Sequence, residues 1–223
     1  CSSDLYCEKL KPMPEDGTFA DFASLRMKLA WLSHSRPDVL YAVSQLAQVT
    51  MDVFNANRRK AVKDVNKAVK FSKGAPLSLT FPVLDLASIR VLGISDASFA
   101  SNSDLSSHLG YLVFLGDAYG EVVPIYFKSY KARRVTRSVL GAELIAFSDM
   151  FDAACTLAQE VQRALGASKV PICLFTDSKS LFDIISKGTR TAEKRLMLDI
   201  ACARQAFQRH EISDIGYVRS EER

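Results

Sequence analysis

The sequence predicts an α/β domain with an open, mixed sheet, preceded by a smaller helical segment. Three observations carry this. Residues 18–74 show helical periodicity only; three strand-like runs then follow one another directly; and from there helices alternate with short apolar runs. Pro76 and Pro82 in "GAPLSLTFPVLDLAS" break the helical pattern, so the boundary is placed near residue 85, giving segments 1–85 and 86–223.

The N-terminal segment reads as three helices: residues 19–33, a second opening at Pro37 in "SRPDVLYAVSQLAQ", and a third over 55–73 stopped by Gly74. On the third, Val62, Val65 and Val69 make one stripe and Lys60, Lys63, Lys67 and Lys70 another, the second reading best as a solvated face. Strands are expected over residues 89–95, 110–115 and 122–130, the last two joined through "GDAYGE". A long helix then places Leu140, Leu144, Phe147, Phe151, Ala154, Ala158, Val161 and Leu165 on one face and ends at Gly166. Residues 172–176 are apolar on both sides, as an interior strand covered by helices would be. Ser178 caps the helix that follows, and Gly188 ends it. A further helix turns Leu196, Ile200, Ala203 and Phe207 inward, and "SDIGYVRS" supplies a fifth strand.

With 223 residues and 48% apolar content, the chain can bury one well-packed domain and a smaller appendage. A net charge of +4 permits polyanion binding without demonstrating it. Cys1, Cys7, Cys155, Cys173 and Cys202 are odd in number and contain no C-x-x-C pair, which argues against a disulfide framework or a zinc site and fits a reducing, intracellular compartment. His34, His108 and His210 are too scattered to suggest a metal site. No apolar run approaches the roughly 18 residues needed to span a bilayer, so no membrane partner is expected.

Three acids stand out by position. Asp96 is expected to end the first strand, Asp177 the fourth, and Glu143 sits between Leu140 and Phe147 on the helical face that should cover the sheet. Each alone has an ordinary explanation in turn chemistry or the helix dipole. Together, a buried acid on a helix and two acids at strand ends form a set that needs a cation or a second polar group to compensate it, and the cation is the better reading. Carboxylate oxygens suit hard ions such as Mg2+, with Mn2+ the alternative, and such a cluster can hold two ions for phosphodiester hydrolysis, Asp96 bridging both.

The segment "FKSYKARRVTRS" concentrates Lys128, Lys131, Arg133, Arg134 and Arg137 just before the acid-bearing helix, making it the best phosphate-binding candidate in the chain. Protection of a solvated strand edge is the competing account. Ser98, Asn102 and Ser178 follow the strand-borne acids and are placed to read a ribose 2′-hydroxyl, although turn and cap roles suit them equally well.

The runs "SDASFASNSDLSSHLGYLVFLGD", "SYKARRVTRSVLGAELIAF", "LFTDSKSLFDII" and "TAEKRLMLDIACARQAF" resemble the ribonuclease H domain of copia-type LTR retrotransposon polyproteins. The upstream "LAWLSHSRPDVLYAVSQLAQ" looks like the helical segment following the polymerase palm in the same polyproteins. The resemblance implies a ribonuclease H-like mixed five-stranded sheet with flanking helices. It further implies an endonuclease cutting the RNA strand of RNA/DNA hybrids during reverse transcription, with Asp96, Glu143 and Asp177 as the first three acidic metal ligands. The fourth is expected beyond "VRSEER", so the domain reads as truncated at its C-terminal end, and residues 1–85 as a thumb- or connection-like remnant of the reverse transcriptase. Implied partners are the hybrid and the rest of the polyprotein, with the polymerase palm upstream; the implied setting is a cytoplasmic virus-like particle or the nucleus. Two other readings are a non-catalytic scaffold that supports a polymerase and grips nucleic acid, and a different nuclease or recombinase on the same fold.

Overall fold

The computed structural model describes residues 7–74, 79–102, 104–167, 169–188 and 193–219, which fall into two compact units, Cys1–Thr80 and Phe81–Arg223. Cys1 and the residues beyond Arg219 lie outside the described residues. No described helix is long and apolar enough to cross a membrane.

The first unit is helical. Helix α1 (Phe19–Leu32) starts at a complete capping box, in which Thr18 accepts from the Asp21 amide while Asp21 accepts from the Thr18 amide. Pro37 opens a 3-10 turn (Pro37–Val39) that runs into α2 (Leu40–Ala47), so the proline belongs to the tighter turn and not to the α-helix expected there. The single helix expected over 55–73 is two: α3 (Met51–Ala56), capped by Thr50, and α4 (Arg58–Gly74). The break is local, because Asn57 leaves helical geometry (φ −137°, ψ 47°). The α4 valine stripe is buried with Phe22, Leu25, Leu29, Leu46 and Phe54, and the lysine stripe is exposed. Arg36 is fully buried; its guanidinium grips Asp38 through two bonds of 2.8 and 2.7 Å and donates to the Ser72 carbonyl at 3.1 Å.

The second unit is the expected α/β domain: a mixed five-stranded sheet with flanking helices. Strands β1 (Arg90–Ser98), β2 (His108–Gly116) and β3 (Val122–Lys131) form an antiparallel meander, and β4 (Ile172–Thr176) and β5 (Asp214–Tyr217) pair in parallel on the other side of β1. The order across the sheet is β3-β2-β1-β4-β5. Helix α5 (Val139–Leu165) connects β3 to β4; α6 (Lys179–Lys187) and α7 (Met197–Gln208) lie between β4 and β5. Pro124 sits on edge strand β3 at a register shift, where its missing N–H costs no ladder bond.

Helix α5 is capped by Ser138, whose hydroxyl accepts from the Gly141 amide, and it ends at Gly166 in the left-handed region (φ 64°) that glycine tolerates. Its predicted stripe packs on the sheet, except that Leu165 in the last turn is 40% exposed. Gly93 of β1 permits close approach: a Cβ there would lie 2.9 Å from Met150 of α5 and from Leu174 of β4. Ala142 and Ala146 pack with Leu109 and Ala97, so small side chains bring the first turns of α5 down onto the sheet. Of the inward residues expected on the last helix, Ile200 and Ala203 are buried in α7, Phe207 is half-buried, and Leu196 lies in a preceding 3-10 turn.

Candidate metal centre

Strand β1 does not end at Asp96 as expected. It continues to Ser98 because β2 pairs with it through Ser98 and His108, whereas parallel pairing to β4 stops at Ser95 and Thr176. Asp96 is therefore the first residue of β1 past the end of its pairing with β4, with a strand partner on the β2 side only. Asp177 is the next residue on the β4 side, where that strand gives way to the turn capped by Ser178. The gap opens at the carboxyl edge of two parallel strands, where strand-end side chains converge on ligands in such sheets.

Glu143 comes to this edge from α5. It is 5% exposed, flanked by the buried Ala142 and Leu144, and lies in the helix's second turn. One carboxylate oxygen from each of Asp96, Glu143 and Asp177 lies within 4.8 Å of the others, a group that could hold a metal ion. Asp96 is exposed, Asp177 half-buried and Glu143 buried, so the cluster opens to solvent on one side. Glu143 Oε2 and Asp177 Oδ1 are buried and accept no hydrogen bond, although neither side chain is isolated.

The electrostatics follow from the distance. Two carboxylates about 5 Å apart repel by about 3 kcal/mol at an effective dielectric of about 20, and three multiply that cost. A divalent cation among them reverses the sign. Three hard oxygen donors, with no sulfur or imidazole, fit Mg2+ or Mn2+ better than zinc or copper.

The remaining expected residues divide. Ser98 is exposed at the end of β1, and its carbonyl accepts from the Ser101 hydroxyl at 3.1 Å. Asn102 is 7% exposed and closes its own loop, its amide donating to the Ser106 carbonyl at 3.0 Å. Ser178 caps α6, accepting from the Leu181 amide at 3.4 Å. Lys128 is exposed on edge strand β3 with its ammonium 4.4 Å from the Tyr130 ring centre, and Lys131 pairs with Asp104. That contact, with help from the Ser106 hydroxyl, holds the Asp104 carboxyl well below the usual range. Arg133, Arg134 and Arg137 are exposed in the β3–α5 connection and have no ion-pair partner among the described residues.

A knot of buried hydroxyls that no local sequence pattern marks holds that connection. Ser107 (0% exposed) is hydrogen-bonded to the hydroxyl of Thr136, accepts from the Ala100 amide at 3.2 Å, and through its carbonyl accepts from the Ala132 amide at 2.8 Å. It thus ties the loop after Asp96 to the basic segment. Thr136 is the one inward-facing residue between Arg133 and Arg137, but its partner is 29 positions away, so no local pattern announced it. His108, beside this knot, is bonded to the Ser129 hydroxyl at 2.7 Å, and burial lowers its pKa.

No protein-family model matches the chain, and no curated protein matches it. Among solved structures, it is similar to RNase H1 from the halophilic archaeon Halobacterium salinarum NRC-1, at 19% identity over 59% of this chain and 87% of that one, with a TM-score of 0.40. The N-terminal RNase H domain of a Mycobacterium tuberculosis protein matches at 19% identity over 60% of this chain and 85% of that one, TM-score 0.39. A foamy viral protease–reverse transcriptase in complex with RNA/DNA hybrid aligns over 98% of this chain but 27% of its own length, at 10% identity and TM-score 0.48. The second unit has the mixed five-stranded sheet with flanking helices that the sequence predicts, in the order β3-β2-β1-β4-β5.

Proposed function

We propose that the second unit hydrolyses the RNA strand of RNA/DNA hybrids as a metal-dependent endonuclease, within a copia-type retrotransposon polyprotein. One observation carries the reading: three carboxylates from β1, α5 and the end of β4, far apart in sequence, meet within 4.8 Å at one sheet edge. Asp96, Glu143 and Asp177 would hold Mg2+ or Mn2+, Asp96 being the most exposed of the three. Bound there, such ions would supply an activated water and neutralisation of charge on the departing oxygen.

The chain's own groups do the rest. Arg133, Arg134 and Arg137, carried on the segment pinned by Thr136, offer positive charge to the phosphate backbone without reading sequence. Ser98, on the strand that carries Asp96, is the exposed hydroxyl best placed for a ribose contact, whereas Asn102 acts by shaping the loop. The first unit is assigned to the helical part of a reverse transcriptase that follows the palm.

The test is hydrolysis of an end-labelled RNA/DNA hybrid with magnesium and with chelator. Cleavage that needs magnesium and falls to background in Asp96→Asn is the expected result. Undiminished magnesium-dependent cleavage by Asp96→Asn would remove these carboxylates from the reaction.

A further inference from the structure

Helix α4 concentrates the positive charge of the first unit. It carries seven basic residues and one acid, against five and six in residues 7–57. At 3.6 residues per turn, Arg59, Lys60, Lys63, Lys67 and Lys70 fall on an arc of about 100°, opposite the buried Ala61, Val65 and Val69. All five are exposed, and the row they make is about 16 Å long. None of them is in an ion pair among the described residues.

A solvated helix face commonly alternates in sign, so that residues three and four positions apart attract. Here those pairs are Arg59 with Lys63, Lys60 with Lys63, Lys63 with Lys67 and Lys67 with Lys70, all of like charge. The first turn holds Arg58, Arg59 and Lys60 and no acid, at the end of the helix whose dipole is already positive. The uniform sign therefore does nothing for the helix itself, and a polyanion laid along it would relieve the repulsion.

The composition of the face selects among polyanions. Lysine is depleted where proteins bind one another, and such interfaces turn on buried aromatic or arginine anchors. The one large apolar side chain beside this arc is Phe71, 46% exposed near the C-terminal end of the helix. A nucleic-acid backbone needs no such anchor. It presents its charges in a line, about one per 1.7 Å of duplex axis, and lysine meets phosphate as a point charge.

We propose that the face of α4 bearing Arg59, Lys60, Lys63, Lys67 and Lys70 binds the phosphate backbone of nucleic acid. A row of cations on a rigid helix holds that backbone without reading sequence. The stripe that reads from sequence as a solvated face is then a contact surface of the first unit, and it requires neither the acid cluster nor cleavage.

The experiment uses the full chain with chelator present, so that hydrolysis plays no part. Lysine acetylation is mapped by mass spectrometry alone, with a short RNA/DNA hybrid, and with single-stranded DNA of the same length. Lys60, Lys63, Lys67 and Lys70 are expected to be protected about fivefold by at least one of the two, while the exposed Lys9, Lys11 and Lys28 react as before. Which of the two protects distinguishes a duplex backbone from a single strand. Fluorescence anisotropy over a salt series then compares two triple variants, Lys63→Gln with Lys67→Gln and Lys70→Gln, and Lys9→Gln with Lys11→Gln and Lys28→Gln. The first is expected to weaken binding about tenfold and to lower the salt slope by about 3, and the second to change neither. Equal reactivity of the four α4 lysines with and without nucleic acid overturns the proposal. So does an equal loss in both triple variants, which would mark net charge alone. Protection by polyglutamate as strong as by nucleic acid at the same salt overturns it in favour of an acidic protein partner. Should the α4 triple variant not fold, Lys67→Gln alone is expected to lower the slope by about 1, and an unchanged slope overturns the proposal.

Discussion

Both units bury charge, and they treat it in opposite ways. In the first, Arg36 is neutralised inside the fold, with Asp38 across two short bonds and a backbone carbonyl to complete the shell. In the second, Asp96, Glu143 and Asp177 bring three negative groups together. The first arrangement is self-sufficient and holds the helices in place. In the second, oxygens within 4.8 Å of one another repel, and a divalent cation among them would relieve that repulsion.

The largest effects should come from removing the partner of each charge. Cleavage of hybrid is expected to fall to background in Asp177→Asn as in Asp96→Asn, measured by single-turnover hydrolysis with magnesium. Arg36→Ala strands Asp38 and leaves a void, and is expected to cost about 3–5 kcal/mol in urea denaturation of the first unit. A cost below about 1 kcal/mol would show the pair to be ornamental.

The opposite sign is expected at the acid cluster. Glu143→Gln relieves repulsion, so the metal-free chain should gain about 1–3 kcal/mol while losing the rise in melting temperature that manganese gives the wild type. A loss of stability on Glu143→Gln would mean that the carboxylate is satisfied within the protein, as in the Arg36 pair, and would erase the contrast.

Two smaller effects test the basic segment. Neutralising Arg133 and Arg134 together is expected to reduce the salt slope of hybrid binding by about 2, and an unchanged slope favours strand-edge protection. Thr136→Val removes the tie to Ser107 while keeping every charge. It is expected to cost about 1 kcal/mol of stability and to weaken binding severalfold at an unchanged salt slope, read by fluorescence anisotropy across a salt series.

Much of this was legible in the chain because local periodicity reports on local structure. The strand of residues 172–176, the Ser178 and Gly188 caps and the inward face of α5 all follow from spacing, and the structure has them. Boundaries were less legible where a neighbour decides them. β1 runs past Asp96 because β2 pairs with it there, and the helix expected over 55–73 breaks at Asn57, where the sequence holds no proline or glycine to announce it.

What the sequence alone determined was the kind of domain, and it singled out three acids by their expected places on two strand ends and one helix face. Periodicity, caps and residue chemistry are properties of a few neighbouring positions, and they survive in one dimension. Only the tertiary structure decided that those acids meet within 4.8 Å, that Asn102 shapes its own loop, and that Ser107 and Thr136 join across 29 positions. Such contacts depend on strand register and on how closely α5 can approach a glycine in β1, and register and approach are set by the packing of the whole domain.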